Sequence, residues 1–420
     1  MTRTLFQGAL AAALLLSGCG KAAMIATAAA PGLLAARADV ASAADLARRT
    51  LRTNTHPVKV NAAPRDRNVV FAGGGHFGSL WARDGMYACL GLLAAGELPT
   101  VHDTLTALLD NQRADGLLPR RIGNGSNALG IIRSAIGLAP QAGNEMKSVD
   151  FAKLSVDANA LVIWVAADYA AKAQDRAFTA SYLPALERAE AWLFARMEGG
   201  LLKQDAYCDW KDMNARGGKV LYSNALYYKA LKSLAALELD PTRAATYETR
   251  AEALATHIQA AFWDPTAGHF RDTLELNQFS PDGDLFAVLV GLTTPAQREA
   301  VFARCDALLT LRPLLPALDG DYPAAMIPLQ MKLAGLSDYH DRFEWPWLTS
   351  LYAWAAAGAG ETARARTALA RVGTYALRDG TFEEIYEGAE PKPVKRALYA
   401  SEIDFSWSAG MFLAADAANR

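Results

Sequence analysis

Apolar residues recur at helical spacing along almost the whole chain, and no sustained run of alternating β-branched residues interrupts them. Val101, Leu105, Leu108 and Leu109 follow i, i+4, i+7, i+8; Tyr247, Ala251, Leu254 and Ile258 repeat the pattern, as do Val301, Cys305 and Leu308. The spacing predicts helices near 40–53, 79–95, 99–113, 155–173, 179–197, 220–237, 243–262, 283–292, 295–310, 345–358, 360–376 and 404–418, with a short one near 323–334. No break in composition marks a second domain, and 420 residues can build one large domain.

The connections alternate in character. "AAGELPT" (94–100) and "AGAGET" (357–362) are tight, as antiparallel helix pairs require. The segments 114–154, 198–219, 263–282 and 377–403 are long, and loops of that length in a compact domain are uncommon unless they serve function. Twelve helices with this alternation imply an all-α, single-domain α/α barrel in which long loops gather at one mouth. Inner helices then start at 79, 155, 220, 283, 345 and 404, all at the same end.

Polar and aromatic residues cluster at those starts: "LWARDG" (80–85), "SVDAN" (155–159), "CDWKDMN" (208–214), "SPDGD" (280–284), "FEWPW" (343–347), "FEEIYEG" (382–388) and "ASEIDFSWS" (400–408). Carboxylates around a Trp-lined pocket suit sugar chemistry, because indole faces stack on pyranose rings while Asp, Glu and Arg bind hydroxyls. Cleaving a glycosidic bond needs one protonated carboxylic acid and one carboxylate. A second carboxylate or an apolar wall raises the acid's pKa. Asp212, with Asp209 and Trp210 beside it, suits the acid; Glu383, Glu384 and Glu387 supply candidates for its partner.

Other classes fall away. Lys plus Arg (42) nearly balances Asp plus Glu (44), which favours a neutral oligosaccharide over nucleic acid. No HExxH, CxxC, GxSxG or Walker loop occurs, and no cofactor or metal is implied. "AGGGHFG" (72–78) follows no clear strand and is rejected as a phosphate cradle. The leader "MTRTLFQGALAAALLLSGCG" has Arg3, an apolar run too short to span a bilayer, and small residues before Cys19. It resembles a bacterial lipobox, implying cleavage before Cys19 and lipid on its sulfur. Residues 19–43 read as an Ala-rich tether and 44–420 as the barrel, a monomeric lipoprotein of the periplasm whose only membrane contact is its anchor.

Taken together, "SLWARDGMYACLGLLAAGE", "DWKDMNARGGKVLYSNALYYKAL" and "FEEIYEG…ASEIDFSWSAGMFLAA" resemble, in order, segments of the (α/α)6-barrel glycoside hydrolases, the group of trehalases, processing α-glucosidases, bacterial invertases and glycogen-debranching glucosidases. The resemblance runs from about residue 66 to the C-terminus. It implies that Arg83 and Asp84 hold sugar hydroxyls. A W-x-D alignment makes Asp212 the general acid, whereas aligning the first carboxylate makes it Asp209. The E-x-Y element makes Glu384 the base, with Glu402 a helper or weaker candidate. Trp81, Asp157, Trp210, Glu344, Trp345, Trp347 and Trp407 complete the expected sugar-binding set. The implied reaction is inverting, exo-acting hydrolysis of a small α-linked oligosaccharide, an α-glucoside first, then an α-mannoside or a sucrose-like sugar.

Plainer readings stand beside these. Arg83–Asp84 can be a helix cap with an ion pair, Trp345–Pro346–Trp347 and Phe405–Trp407 can be core, and Asp157 can be an N-cap. "GNGSNA" (123–128) reads as a loop able to cover the pocket. A disaccharide phosphorylase shares the "DWKD" resemblance, but the basic phosphate pocket is missing. A sugar-binding lipoprotein that lost catalysis is the alternative outside enzymology.

Overall fold

The computed structural model describes residues 39–60, 66–123, 145–146, 148–151 and 154–420. The leader, Cys19 and most of "GNGSNA" lie outside these residues. Thirteen α-helices occur among them: α1 (39–53), α2 (Ala82–Ala95), α3 (Leu98–Leu109), α4 (Val156–Ala173), α5 (Arg176–Phe194), α6 (Leu221–Leu237), α7 (Pro241–Phe262), α8 (Pro281–Leu289), α9 (Pro295–Leu311), α10 (Leu329–Leu333), α11 (Pro346–Gly358), α12 (Thr362–Asp379) and α13 (Ser406–Ala418). Helix α1 takes in residues 39–43, which the sequence reading gave to the tether, and buries Ala43, Ala44 and Ala47.

Helices α2, α4, α6, α8, α11 and α13 pack side by side in that order, and α13 returns to α2, which closes an inner ring. They are buried nearly all round, as helices enclosed by other helices must be. In α2 every residue from Ala82 to Leu93 is buried. The outer helices bury one stripe each: α12 turns Ala365, Ala368, Leu369, Val372 and Ala376 inward. At the α2–α13 crossing, a Cβ on Gly91 would sit 2.5 Å from the Gly410 Cα, so only glycine allows that approach.

Capping differs between the rings. Asp175, Asp240 and Thr294 accept backbone N–H bonds at the starts of outer helices α5, α7 and α9. All six inner helices start without a side-chain cap, at Trp81, Ser155, Val220, Ser280, Trp345 and Phe405. Their positive dipole ends therefore converge on one mouth, where they favour anionic side chains. Short strands cross that mouth: Leu80–Trp81 pairs with Arg121–Gly123, which pairs with Ser148–Asp150. Leu201–Gln204 pairs with Gly218–Lys219 below the acid loop. No described helix is long and apolar enough to cross a membrane. Cys89, Cys208 and Cys305 are free and buried.

Candidate active site

A pocket opens where the inner helices start. Phe77, Trp81, Arg83, Asp84, Arg120, Trp210, Asp212, Met213, Tyr339, Trp345, Glu384, Phe405 and Trp407 line it. Asp212, from the loop before α6, and Glu384, from the segment before α13, are far apart in sequence and share this space.

Helix α2 presents Arg83 from its first turn. The guanidinium donates to both carboxylate oxygens of Asp157, at 2.5 and 3.2 Å, and to Ser155 Oγ at 3.2 Å. Its Nη1 lies 3.6 Å from Asp212 Oδ2. Ser155 Oγ and the Tyr222 hydroxyl also donate to Asp157, which is buried and does not line the pocket. Asp157, expected as a sugar contact, instead holds Arg83, whose other face lies toward Asp212. Asp84 does line the pocket; burial pushes its pKa up to about 7, the nearby Asp212 and Glu384 charges adding and Arg83 opposing.

The two aspartates of the acid loop part company. Asp209 is fully buried, accepts from Gln204 Nε2 (2.7 Å), Arg216 Nε (3.0 Å) and the Lys211 backbone N–H (2.8 Å), and does not reach the pocket. The turn explains the split: the Asp209 carboxylate caps its own loop two residues on, and Asp212 emerges on the other side. Asp209, a catalytic candidate by sequence, is thus held among Arg216, Gln204 and its own loop and does not line this pocket. Trp210 donates its indole N–H to Asp282 Oδ2 at 2.5 Å and meets Trp345 edge-on at 5.2 Å. "SPDGD" is support as well: Asp282 holds Trp210, Arg216 and Lys211 from beneath, and Asp284 accepts the Phe270 N–H.

Glu384 is buried, and its carboxylate accepts the hydroxyls of Tyr339 and Tyr399 and the Glu402 backbone N–H (3.2 Å). Burial raises its pKa, while the His76 charge and these hydrogen bonds pull it back. Tyr339 has no motif around it in "LSDYHDR", so nothing in the sequence marked it.

Three other expected contacts lie outside the pocket lining. Glu344 is buried and accepts the Leu314 N–H at 3.0 Å while its backbone bridges Tyr386, so it ties loops together. Trp347 is core, its ring 4.6 Å from Trp407. Glu402 is held in the turn of the glycine-rich segment, accepting from the N–H groups of Gly75, His76 and Phe77. Glu383 also lies outside the lining, and Glu387 pairs with Arg396. Trp81, Arg83, Asp84, Trp210, Trp345 and Trp407 line the pocket as the sequence expected; Phe77, Arg120, Met213 and Tyr339 were not anticipated. Arg120 lies 4.9 Å over Trp81 and pairs with Asp150 at 2.9 Å. Away from the pocket, carboxylate oxygens of Asp321, Asp338 and Asp341 lie within 4.8 Å of one another, with Arg342 paired to Asp321.

Residues 219–408, from α6 to the start of α13, match the mannosylglycerate hydrolase MGH1-like glycoside hydrolase domain. The chain has an (α/α)6-barrel fold, and over 219–408, a little under half its length, it is similar to that glycoside hydrolase domain. The match holds Glu384 and begins just after the acid loop. The fold is shared with GH63 mannosylglycerate hydrolase from Thermus thermophilus, solved in complex with Tris (TM-score 0.64, 14% identity, 88% of this chain and 99% of that one). It is also shared with a rhamnosidase from Klebsiella oxytoca with rhamnose bound (TM-score 0.62, 17% identity, 89% of this chain). This chain spans 63% of the rhamnosidase's length. A glycosidase variant in complex with glucose superimposes with TM-score 0.60 at 18% identity, over 90% of this chain and 97% of that one. No curated protein sequence matches the chain.

Proposed function

We propose that this hydrolase cleaves a small α-linked glycoside from its nonreducing end with inversion, Asp212 acting as general acid and Glu384 as general base. The observation that carries the reading is the pairing of these two carboxylates across one Trp-walled pocket, with Asp209 withdrawn into an ion pair. Asp212 Oδ2, 3.6 Å from Arg83, protonates the leaving oxygen. Glu384, oriented by two tyrosine hydroxyls, takes a proton from water on the opposite face of the sugar. A buried base whose pKa is raised is a stronger acceptor at neutral pH than an ordinary glutamate.

Glucosides and mannosides are the first sugars to try. The relatives' names add mannosylglycerate, and Arg120 at the pocket wall suits an aglycone bearing a carboxylate. The test is release of sugar from a panel of α- and β-linked disaccharides plus mannosylglycerate, wild type beside Asp212→Asn. Turnover by wild type alone supports the reading; saturable binding without turnover in either would favour an inactive sugar-binding barrel. Behind its lipobox the enzyme would act in the envelope, a placement tested by palmitate labelling that Cys19→Ala abolishes.

A further inference from the structure

The glycine-rich turn at 72–78 is the one sequence feature that the proposed function leaves without a role. It does cradle an anion, and the anion is internal. Glu402 accepts backbone N–H bonds from Gly75 (2.5 Å), His76 (2.9 Å) and Phe77 (3.3 Å), and His76 Nδ1 approaches its Oε2 at 2.7 Å. Successive N–H groups converging on one carboxylate make an anion nest. A Cβ on Gly73 would lie 2.5 Å from Glu402 Cγ, and one on Gly75 would lie 2.8 Å from Oε2, so the nest tolerates no side chain at either position. The turn is sewn down beside it: Gly74 N–H donates to Ile403 O and Ser406 N–H to Ala72 O.

Glu402 is in turn bonded to Glu384 by backbone in both directions. The Glu384 N–H donates to Glu402 O at 3.0 Å, and the Glu402 N–H donates to the Glu384 carboxylate at 3.2 Å. We propose that His76 and the nest at 75–77 form a clamp on Glu402 that fixes Glu384 in place and supplies the cation that balances the two carboxylates. His76 and Glu402 are positioning residues. The proposal rests on the reading of Glu384 as the base.

Charge explains why a histidine stands there. Both carboxylates are buried, and burial drives a carboxyl group to keep its proton unless a cation offsets it. The groups facing His76 are Glu402, Glu384, the Tyr399 ring at 5.3 Å and the Phe77 ring at 4.2 Å, with Asp404 behind Gly74. None of these is a cation. Burial alone would lower the His76 pKa, but the Glu402 charge and hydrogen bond and the Glu384 charge outweigh it and raise the pKa above the usual value. The same turn carries Phe77 into the pocket wall, so the clamp fixes the wall and the base together.

The test is a carbon-13 NMR titration of protein labelled at glutamate Cδ, with the Glu384 resonance assigned by its loss in Glu384→Gln. In His76→Gln, whose amide can still donate to Glu402, the Glu384 midpoint should rise by about one pH unit, the low end of the effect of one nearby opposite charge. An unchanged midpoint in folded His76→Gln would overturn the clamp. Should that variant not fold, wild type decides: the His76 ring titration and a second, alkaline step of the Glu384 resonance should share one midpoint, and independent midpoints refute the proposal. Turnover by Glu384→Gln is read separately. Activity surviving there would remove Glu384 as base and leave the coupling of the two titrations to stand or fall by itself.

Discussion

Replacing Arg216 with methionine should cost more stability than any surface change in this chain. Arg216 is fully buried and donates to Asp209 Oδ2 (3.0 Å), Asp272 Oδ1 (2.7 Å) and Asp282 Oδ2 (3.0 Å). The other cation in the cluster is Lys211, also buried, 3.6 Å from Asp282 and bonded to Ser280, Ala317 and Tyr322. Methionine would leave three carboxylates facing one ammonium. At an effective dielectric of about 20, each 3 Å contact is worth roughly 5 kcal/mol of attraction. Burying the guanidinium offsets most of that, and losing one partner of a buried ion pair costs about 3–5 kcal/mol net. That is a large share of the roughly 5–15 kcal/mol that holds a domain folded. The assay is guanidinium unfolding followed by tryptophan fluorescence. The double variant Arg216→Met, Asp209→Asn should recover at least about 1 kcal/mol, because one of the three carboxylates left facing Lys211 is removed. A single-variant loss below about 1 kcal/mol, or no recovery, would refute the reasoning. The cluster also bears on chemistry, since Asp209 anchors the turn that sends Asp212 into the pocket; surviving Arg216→Met protein should lose kcat more than it gains KM.

Three further outcomes are expected. Gly91→Ala should destabilise by about 1–3 kcal/mol or more, since its Cβ would meet the Gly410 backbone, and thermal unfolding reads this directly. Tyr339→Phe removes one hydroxyl donor from the Glu384 carboxylate, so the acidic limb of kcat/KM should move to higher pH and activity at pH 6 should fall about tenfold; an unmoved limb would count against Glu384. Stability should decline from pH 5 to pH 8. Burial raises Asp84, Glu344 and Glu383 to about 7 and Asp341 to about 6, so the folded state binds protons that the unfolded chain has released above about 4. Each such group loses at most about 1.4 kcal/mol per pH unit between its unfolded and folded pKa, and a melting temperature that rises over this window would contradict the assignment.

The barrel was legible because its signal is long-range and repetitive. Helices apolar all round alternate with amphipathic ones, and the inner starts observed at 82, 156, 221, 281, 346 and 406 fall within three residues of those read from spacing. The pocket was legible in outline for the same reason, since clusters at helix starts on one ring end must share a mouth. Individual side chains were not. Asp209 and Asp212 differ in the direction of a single turn, decided by Arg216 and Gln204, which periodicity cannot weigh. Glu402 reads as a site carboxylate until a turn more than 300 residues earlier closes on it. Glu344 and Asp157 are polar residues at the right helix starts whose carboxylates point into the scaffold, where backbone N–H groups and Arg83 meet them. The glycine-rich turn carried a true signal for an anion; that the anion is a side chain of the same protein appears only in three dimensions.

The central claim is that Asp212 and Glu384 are an inverting acid and base. Proton NMR of the first sugar released from the best α-linked substrate tests it most directly, with Asp212→Asn and Glu384→Gln run in parallel. The β-anomer should appear first with wild type and mutarotate later, and both variants should lose at least about a hundredfold in kcat while still folding. First release of the α-anomer, or near-normal turnover by either variant, would contradict it.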